Sequence, residues 1–269
     1  MKIRILGCSG GIGGTLRTTS LLIDDDILID AGTGISSLTL DEMSRIRHIF
    51  ITHTHLDHIA CLPLMVDSIF DHISKPIVIH GQQLSIDALK NNIFNWAIWP
   101  NFAELPTMQS PVIRYQPFQP GETCTIAGRT FESIPVNHIV PTVAYRVSTN
   151  NTAIAYSGDT TTNDTLWEAL NAHDRLDLLL IEVAFGNHLE ALCERARHYS
   201  PNLLARDLKK LRHQPPICIT HNKPGEESII SEECRAAITD RPLTFLHGDE
   251  VYNFQSGPPE ASHARTATE

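Results

Sequence analysis

The sequence predicts an α/β fold whose polar chemistry gathers at strand ends. Three observations carry that prediction. Short apolar, β-branched runs of strand length recur along the chain, many of them closed by Gly, Asp or His. Stretches of helical pattern, at 59–65, 84–102 and 202–211, fall among them. Five of the apolar runs lead directly into His, Asp or Glu. At 269 residues the chain can build one substantial core, or at most two small ones.

Residues 2–6 alternate as a strand and run into a glycine-rich stretch, 7–14. That stretch fits neither G-x-G-x-x-G nor the P-loop spacing, and the next element, 19–23, reads as a strand rather than a helix. It is therefore expected to be a hairpin loop at the rim of a site. Asp24, Asp25 and Asp26 read as a solvated turn before strand 27–30. Residues 46–51 form a buried strand, 59–65 continue as helix, and strand 77–81 carries His80, which stays outside the candidate site. The 84–102 pattern holds Phe94, Trp96, Trp99 and Phe102, an aromatic set that fits core, a lid, a dimer contact or a base-stacking platform. Five prolines between Pro100 and Pro120 make the next passage loop-rich. Later strands are expected at 130–136, 152–156, 180–185 and 216–220. Ser200 and Pro201 suit the N-cap and first position of helix 202–211. Residues 1–255 read as a single domain, and 256–269, without periodicity, as a mobile tail.

His53, His55, Asp57 and His58 fall within six residues at the end of strand 46–51. In an extended or turning segment His53 and His55 point the same way and can reach one metal. Asp57 and His58 come one step later and can serve a second. Imidazole with carboxylate suits Zn²⁺, with Mn²⁺ or Fe as alternatives. His138, Asp159 and His221 each stand at the end of a later strand, which completes seven candidate ligands.

The H-x-H-x-D-H run resembles the signature of the metallo-β-lactamase superfamily. That resemblance implies an αββα fold, two mixed β-sheets flanked by helices, with a dinuclear metal site at one edge. It also implies a division of ligands: His53, His55 and His138 on the first ion, Asp57, His58 and His221 on the second, and Asp159 bridging. A water shared by the ions would become a bridging hydroxide and attack phosphorus, with Asp57 orienting it as a catalytic residue. Glu182 and His198 resemble the dyad that phosphodiesterase branches use as general acid, the carboxylate raising the imidazolium and holding its orientation.

Four stretches, 52–64, 95–100, 181–187 and 219–225, are similar to class II cyclic nucleotide phosphodiesterases. Cys61 departs from that pattern, standing where Gly or Ser is usual. The implied activity is hydrolysis of a small 3′,5′-cyclic nucleotide, cAMP or cGMP, to the 5′-monophosphate. Lys223 is then a phosphate or ribose contact, or else an exposed lysine in a turn. An RNA 3′-processing phosphodiesterase and a thioesterase share the metal motif and stand as alternatives.

A net charge of −10 and the lack of a Lys/Arg-rich insertion argue against tight nucleic-acid binding. No apolar run reaches membrane-spanning length, and the N-terminal stretch has no long h-region. Six scattered cysteines without a C-x-x-C pair suit reduced thiols, so the cytoplasm is the expected location. Residues 84–105 are the candidate surface for a homodimer.

Overall fold

The computed structural model describes residues 1–254 and 260–263. Among them, two large mixed sheets lie face to face. The first runs, edge to edge, β17 (Glu260–His263), β16 (Glu250–Asn253), β1 (Lys2–Gly7), β2 (Ser20–Ile23), β3 (Ile27–Ile29), β4 (His48–Phe50), β5 (Ile77–Gly81), β8 (Ile113–Pro117). The second runs β15 (Leu243–Phe245), β14 (Ile217–Thr220), β13 (Leu178–Glu182), β12 (Ala153–Tyr156), β11 (Val143–Ser148), β10 (Arg129–Pro135), β9 (Thr123–Ile126). Pairing is parallel from β3 through β4 and β5 to β8, and from β12 through β13 and β14 to β15. A short hairpin, β6 (Pro106–Thr107) with β7 (Ser110–Pro111), stands apart.

The period-two pattern explains the layering. Leu21, Ile23, Ile27 and Ile29 meet Leu178, Leu180 and Ile154 between the sheets, and Phe50 stacks on Phe131 across the gap with centroids 4.0 Å apart. The alternate residues Leu22 and Leu28 face outward to α2 (Leu56–Ile59), α3 (Leu62–Ser68) and α4 (Gln83–Asn92), with α1 (Leu40–Arg45) nearby in sequence. Leu179 and Ile181 likewise face α5 (Thr165–Asn171), α6 (Glu190–Ala196), α7 (Pro201–Asp207) and α8 (Glu227–Ala237). Both faces of the central strands are covered, so most of their residues are apolar. The expected αββα sandwich is the observed fold.

Several local expectations change. The helix expected over 84–102 stops at Asn92, because Asn95 Oδ1 takes the amides of Ala97 and Ile98 and Trp96 adopts a left-handed φ of 66°. Phe94 and Phe102 enter the core, whereas Trp96 and Ile98 are exposed. The 59–65 helix is two short ones, with the Cys61 amide at the break donating to Ala31 O. The loop-rich 100–120 passage contains β8. The acidic turn is more than solvated: Asp24 and Asp26 clasp the buried Arg129 of β10 and so tie the sheets together. Ser200 Oγ does accept from Leu203 N at the start of α7. Of the expected tail, 260–263 pair with β16, and the rest of 256–269 lies outside the described residues. No helix among the described residues is long and apolar enough to cross a membrane.

Candidate metal centre

Strand direction assembles the site. The C-terminal ends of β4, β10, β12, β13 and β14 open onto one edge of the sandwich, where His53, His138, Asp159, Glu182 and His221 respectively follow or close them. Tyr145 Oη donates to Ile51 O, and Val143 N to Thr52 O, joining the two sheets just beneath.

All seven candidate ligands converge there in two groups. His53, His55, His138 and Asp159 form one, and Asp57, His58, Asp159 and His221 the other; within each, the ligand atoms lie within 4.8 Å of one another. Asp159 belongs to both. Its Oδ2 is 3.6 Å from His53 Nε2 and 3.2 Å from His221 Nε2, and its Oδ1 is 3.3 Å from His58 Nε2. His138 Nε2 lies 3.3 Å from His55 Nδ1. His55 and Asp57 are half-buried while the others are buried, so the centre opens to solvent on one side.

The residues fit divalent metal ions. His53 Nε2, His58 Nε2 and Asp159 Oδ1 are buried without a hydrogen-bond partner, an arrangement costing about 1–3 kcal/mol per atom unless a ligand satisfies it. Burial drives His53, His55, His138 and His221 below the ordinary imidazole range, His138 to about 4, and neutral imidazole is the state a metal requires. His58 goes the other way. Burial would lower it, but Asp159 and Asp30 together raise it.

Asp30 is the functional residue that sequence reasoning missed. Its Oδ2 meets His58 Nδ1 at 2.7 Å, and its Oδ1 accepts from Thr52 N at 2.8 Å, so it fixes the His58 ring with Nε2 facing the centre. The available signal was an Asp closing an apolar strand, as Asp159 does. His138 is oriented similarly, its Nδ1 donating to Arg197 O at 3.0 Å while Arg197 Nη1 donates back to His138 O at 2.7 Å.

Glu182 and His198 also arrive at the centre. His198 Nδ1 lies 2.7 Å from Glu182 Oε1, which accepts from Thr160 N at 2.9 Å, and the His198 ring stacks on His221 with centroids 5.4 Å apart. Burial would depress the imidazolium, but Glu182 overturns this and raises it above its ordinary range. Lys223 is not free in its turn: Nζ donates to Gly10 O at 2.7 Å and lies 3.8 Å from Asp57 Oδ2. The glycine-rich loop therefore docks on the centre. A Cβ at Gly10 would come within 2.6 Å of His221 O. His80 lies elsewhere, 3.0 Å from His48 Nδ1 and stacked on Phe50.

The chain is similar to known proteins in sequence and in fold. The family model described as the beta-lactamase superfamily domain matches residues 25–221. A Yersinia pestis protein named "Probable 3′,5′-cyclic-nucleotide phosphodiesterase" is 33% identical over 205 residues, 65% of this chain but only 57% of that protein's length. An Aliivibrio fischeri 3′,5′-cyclic-nucleotide phosphodiesterase is 29% identical over 249 residues, 77% of this chain and 74% of its own. A Methanococcus maripaludis Ribonuclease Z is 30% identical over 155 residues, 54% of this chain and 47% of its own. The crystal structure of unliganded yeast PDE1 shares the fold, with a TM-score of 0.76 at 19% identity, covering 92% of this chain and 97% of that one. The resemblance seen in H-x-H-x-D-H extends over most of the sequence, and the chain belongs to the metallo-β-lactamase superfamily.

Proposed function

We propose that the protein is a metal-dependent phosphodiesterase that hydrolyses 3′,5′-cyclic nucleotides, cAMP or cGMP, to 5′-monophosphates. The observation that carries this reading is the buried Glu182–His198 pair beside the ligand cluster, because a ribose 3′-alkoxide is a poor leaving group and needs a proton. The phosphodiesterase names of the two bacterial relatives support it.

Two divalent ions, Zn²⁺ first with Mn²⁺ or Fe as alternatives, would supply an acidified water as nucleophile and offset charge on the phosphoryl oxygens. His53, His55 and His138 would hold one, Asp57, His58 and His221 the other, and Asp159 both. Asp57 orients the nucleophile from the open side of the centre. Lys223, tethered to Gly10, contacts the phosphate or ribose. His198, held at Nδ1 by Glu182, donates from Nε2 to the departing 3′-oxygen.

The exposed Trp96 and Ile98 support residues 84–105 as a homodimer face, and six unpaired cysteines suit a reducing, cytoplasmic setting. A second reading, cleavage of RNA 3′ ends, is favoured by the Ribonuclease Z match and disfavoured by the net charge of −10. Thioester hydrolysis has little use for His198, since a thiolate leaves readily. The test is turnover of 3′,5′-cyclic AMP by metal-replete protein, with short RNA and a thioester alongside. Formation of 5′-AMP supports the first reading, and turnover of RNA or thioester alone replaces it.

A further inference from the structure

Tyr199 follows His198 and is tied to two segments, the end of β13 through its backbone and the end of α7 through its phenol. Its amide points to Glu182 Oε2 at 3.4 Å, its carbonyl accepts from Ala184 N at 3.1 Å, and its phenol donates to Asp207 Oδ2 at 2.7 Å. The ring is fully buried. Asp207, the last residue of α7, is buried too and takes four further donors. Trp167 Nε1 and Asn163 N reach Oδ2 at 3.1 Å each, and Thr162 Oγ1 and Lys210 Nζ reach Oδ1 at 2.9 Å each. Burial would raise this carboxyl, but the donors from Lys210, Tyr199, Thr162 and Trp167 hold it below the usual carboxylate range.

What those donors belong to gives the carboxylate its meaning. Thr162 and Asn163 lie in the loop that follows Asp159. Asn137, beside His138, joins the same loop through Nδ2 to Thr162 O at 3.0 Å. The segments that follow Asp159 and His198 thus converge on one buried side chain at the end of a helix, and the His138 segment is tied to the first of them through Thr162. The 197–200 connection between α6 and α7 carries a left-handed Arg197, φ 54°, so its course depends on such tethers.

We propose that the Tyr199–Asp207 hydrogen bond positions His198 as the proton donor, making both of them positioning residues for the reaction. This rests on the reading of His198 as the acid. Glu182 can orient the imidazole only while the 198–199 backbone stays in place, and a displacement of about 1 Å in a catalytic group can cost about 10²-fold in rate.

The test uses the metal-replete full chain and two probes that differ only in leaving group, the p-nitrophenyl and phenyl esters of thymidine 5′-monophosphate. Tyr199→Phe removes the phenol oxygen and keeps the ring, and Asp207→Asn keeps the shape if the first variant fails to fold. Each is expected to lower kcat on the phenyl ester about 10-fold more than on the p-nitrophenyl ester, with metal content unchanged. Placed on His198→Ala, neither is expected to lower activity further. Equal losses on the two esters, or a full additional loss on His198→Ala, would make the pair a plain structural brace and overturn the proposal. If His198→Ala itself shows no preference for the better leaving group, the acid assignment falls and this proposal with it. A selective His198→Ala beside a non-selective Tyr199→Phe and Asp207→Asn overturns the positioning role alone.

Discussion

His198 Nδ1 and Glu182 Oε1 meet at 2.7 Å with both side chains withdrawn from solvent. The contact commits one imidazole nitrogen and leaves the other for proton transfer. His198→Ala is expected to keep metal binding while slowing expulsion of a ribose alkoxide by about 10²–10⁴-fold. Loss on a p-nitrophenyl ester should be far smaller. Equal losses on both substrates would remove His198 from the acid role.

Asp159 is the residue common to both ligand groups. Asp159→Ala takes its carboxylate from between four imidazoles, and at least one metal per chain should go with most of the turnover. Metal analysis and activity on the same preparation check this. Full metal content with retained turnover would refute the ligand scheme.

Asp30 acts one step back, through His58. Replacing it with Asn leaves the shape but loses the charge that fixes the ring, and the metal affinity of the second group should fall about 10–100-fold. A competition titration against a chelator measures it. Affinity equal to that of the parent would show that His58 needs no such partner.

Why Asp159 was legible and Asp30 was not is a matter of which atoms face the centre. Both close apolar strands, but Asp159 falls in ligand order behind His53, His55 and His138 along the chain. Asp30 reaches the centre only through the far nitrogen of His58, and sequence does not say which side of an imidazole faces a metal. The sandwich was legible for a related reason: strands such as β13 are covered on both faces, and its residues 178–181 are apolar without a break up to Glu182. Strand β11 was less so, since Arg146 interrupts its run; in the fold that guanidinium reaches Ser148 Oγ and Arg175 O. The end of α4 depends on the Asn95 side chain capturing two amides, a local side-chain-to-backbone choice that hydrophobic periodicity does not record.

Gly10 gives the glycine-rich loop a measurable role. A Cβ there would lie 2.6 Å from His221 O, 3.0 Å from Lys223 Cδ and 3.1 Å from His221 Cδ2. Backbone cannot yield as a flexible side chain can, so Gly10→Ala should shift His221 and lower stability by about 1–3 kcal/mol. Metal content should drop below the parent's while the circular dichroism spectrum stays the same. Unchanged stability and metal content would mean that the loop lifts off freely and does not shape the centre.

His80 offers a pH effect separable from the metal centre. Burial, then the neighbouring His48, push its imidazole down to about 4 from the ordinary 6.5. Between those values the unfolded chain holds more protons than the folded one, so stability falls as pH falls through this window. A single group of this kind gives a slope of up to about 1.4 kcal/mol per pH unit. His138 carries the same sign, but bound metal would mask it, so the measurement uses metal-replete protein. Urea unfolding of the parent and His80→Gln from pH 6.5 to 4 should show a shallower decline in the variant, whatever its absolute stability. Parallel declines would mean that His80 takes up its proton without disturbing the fold, against its place between Phe50 and His48.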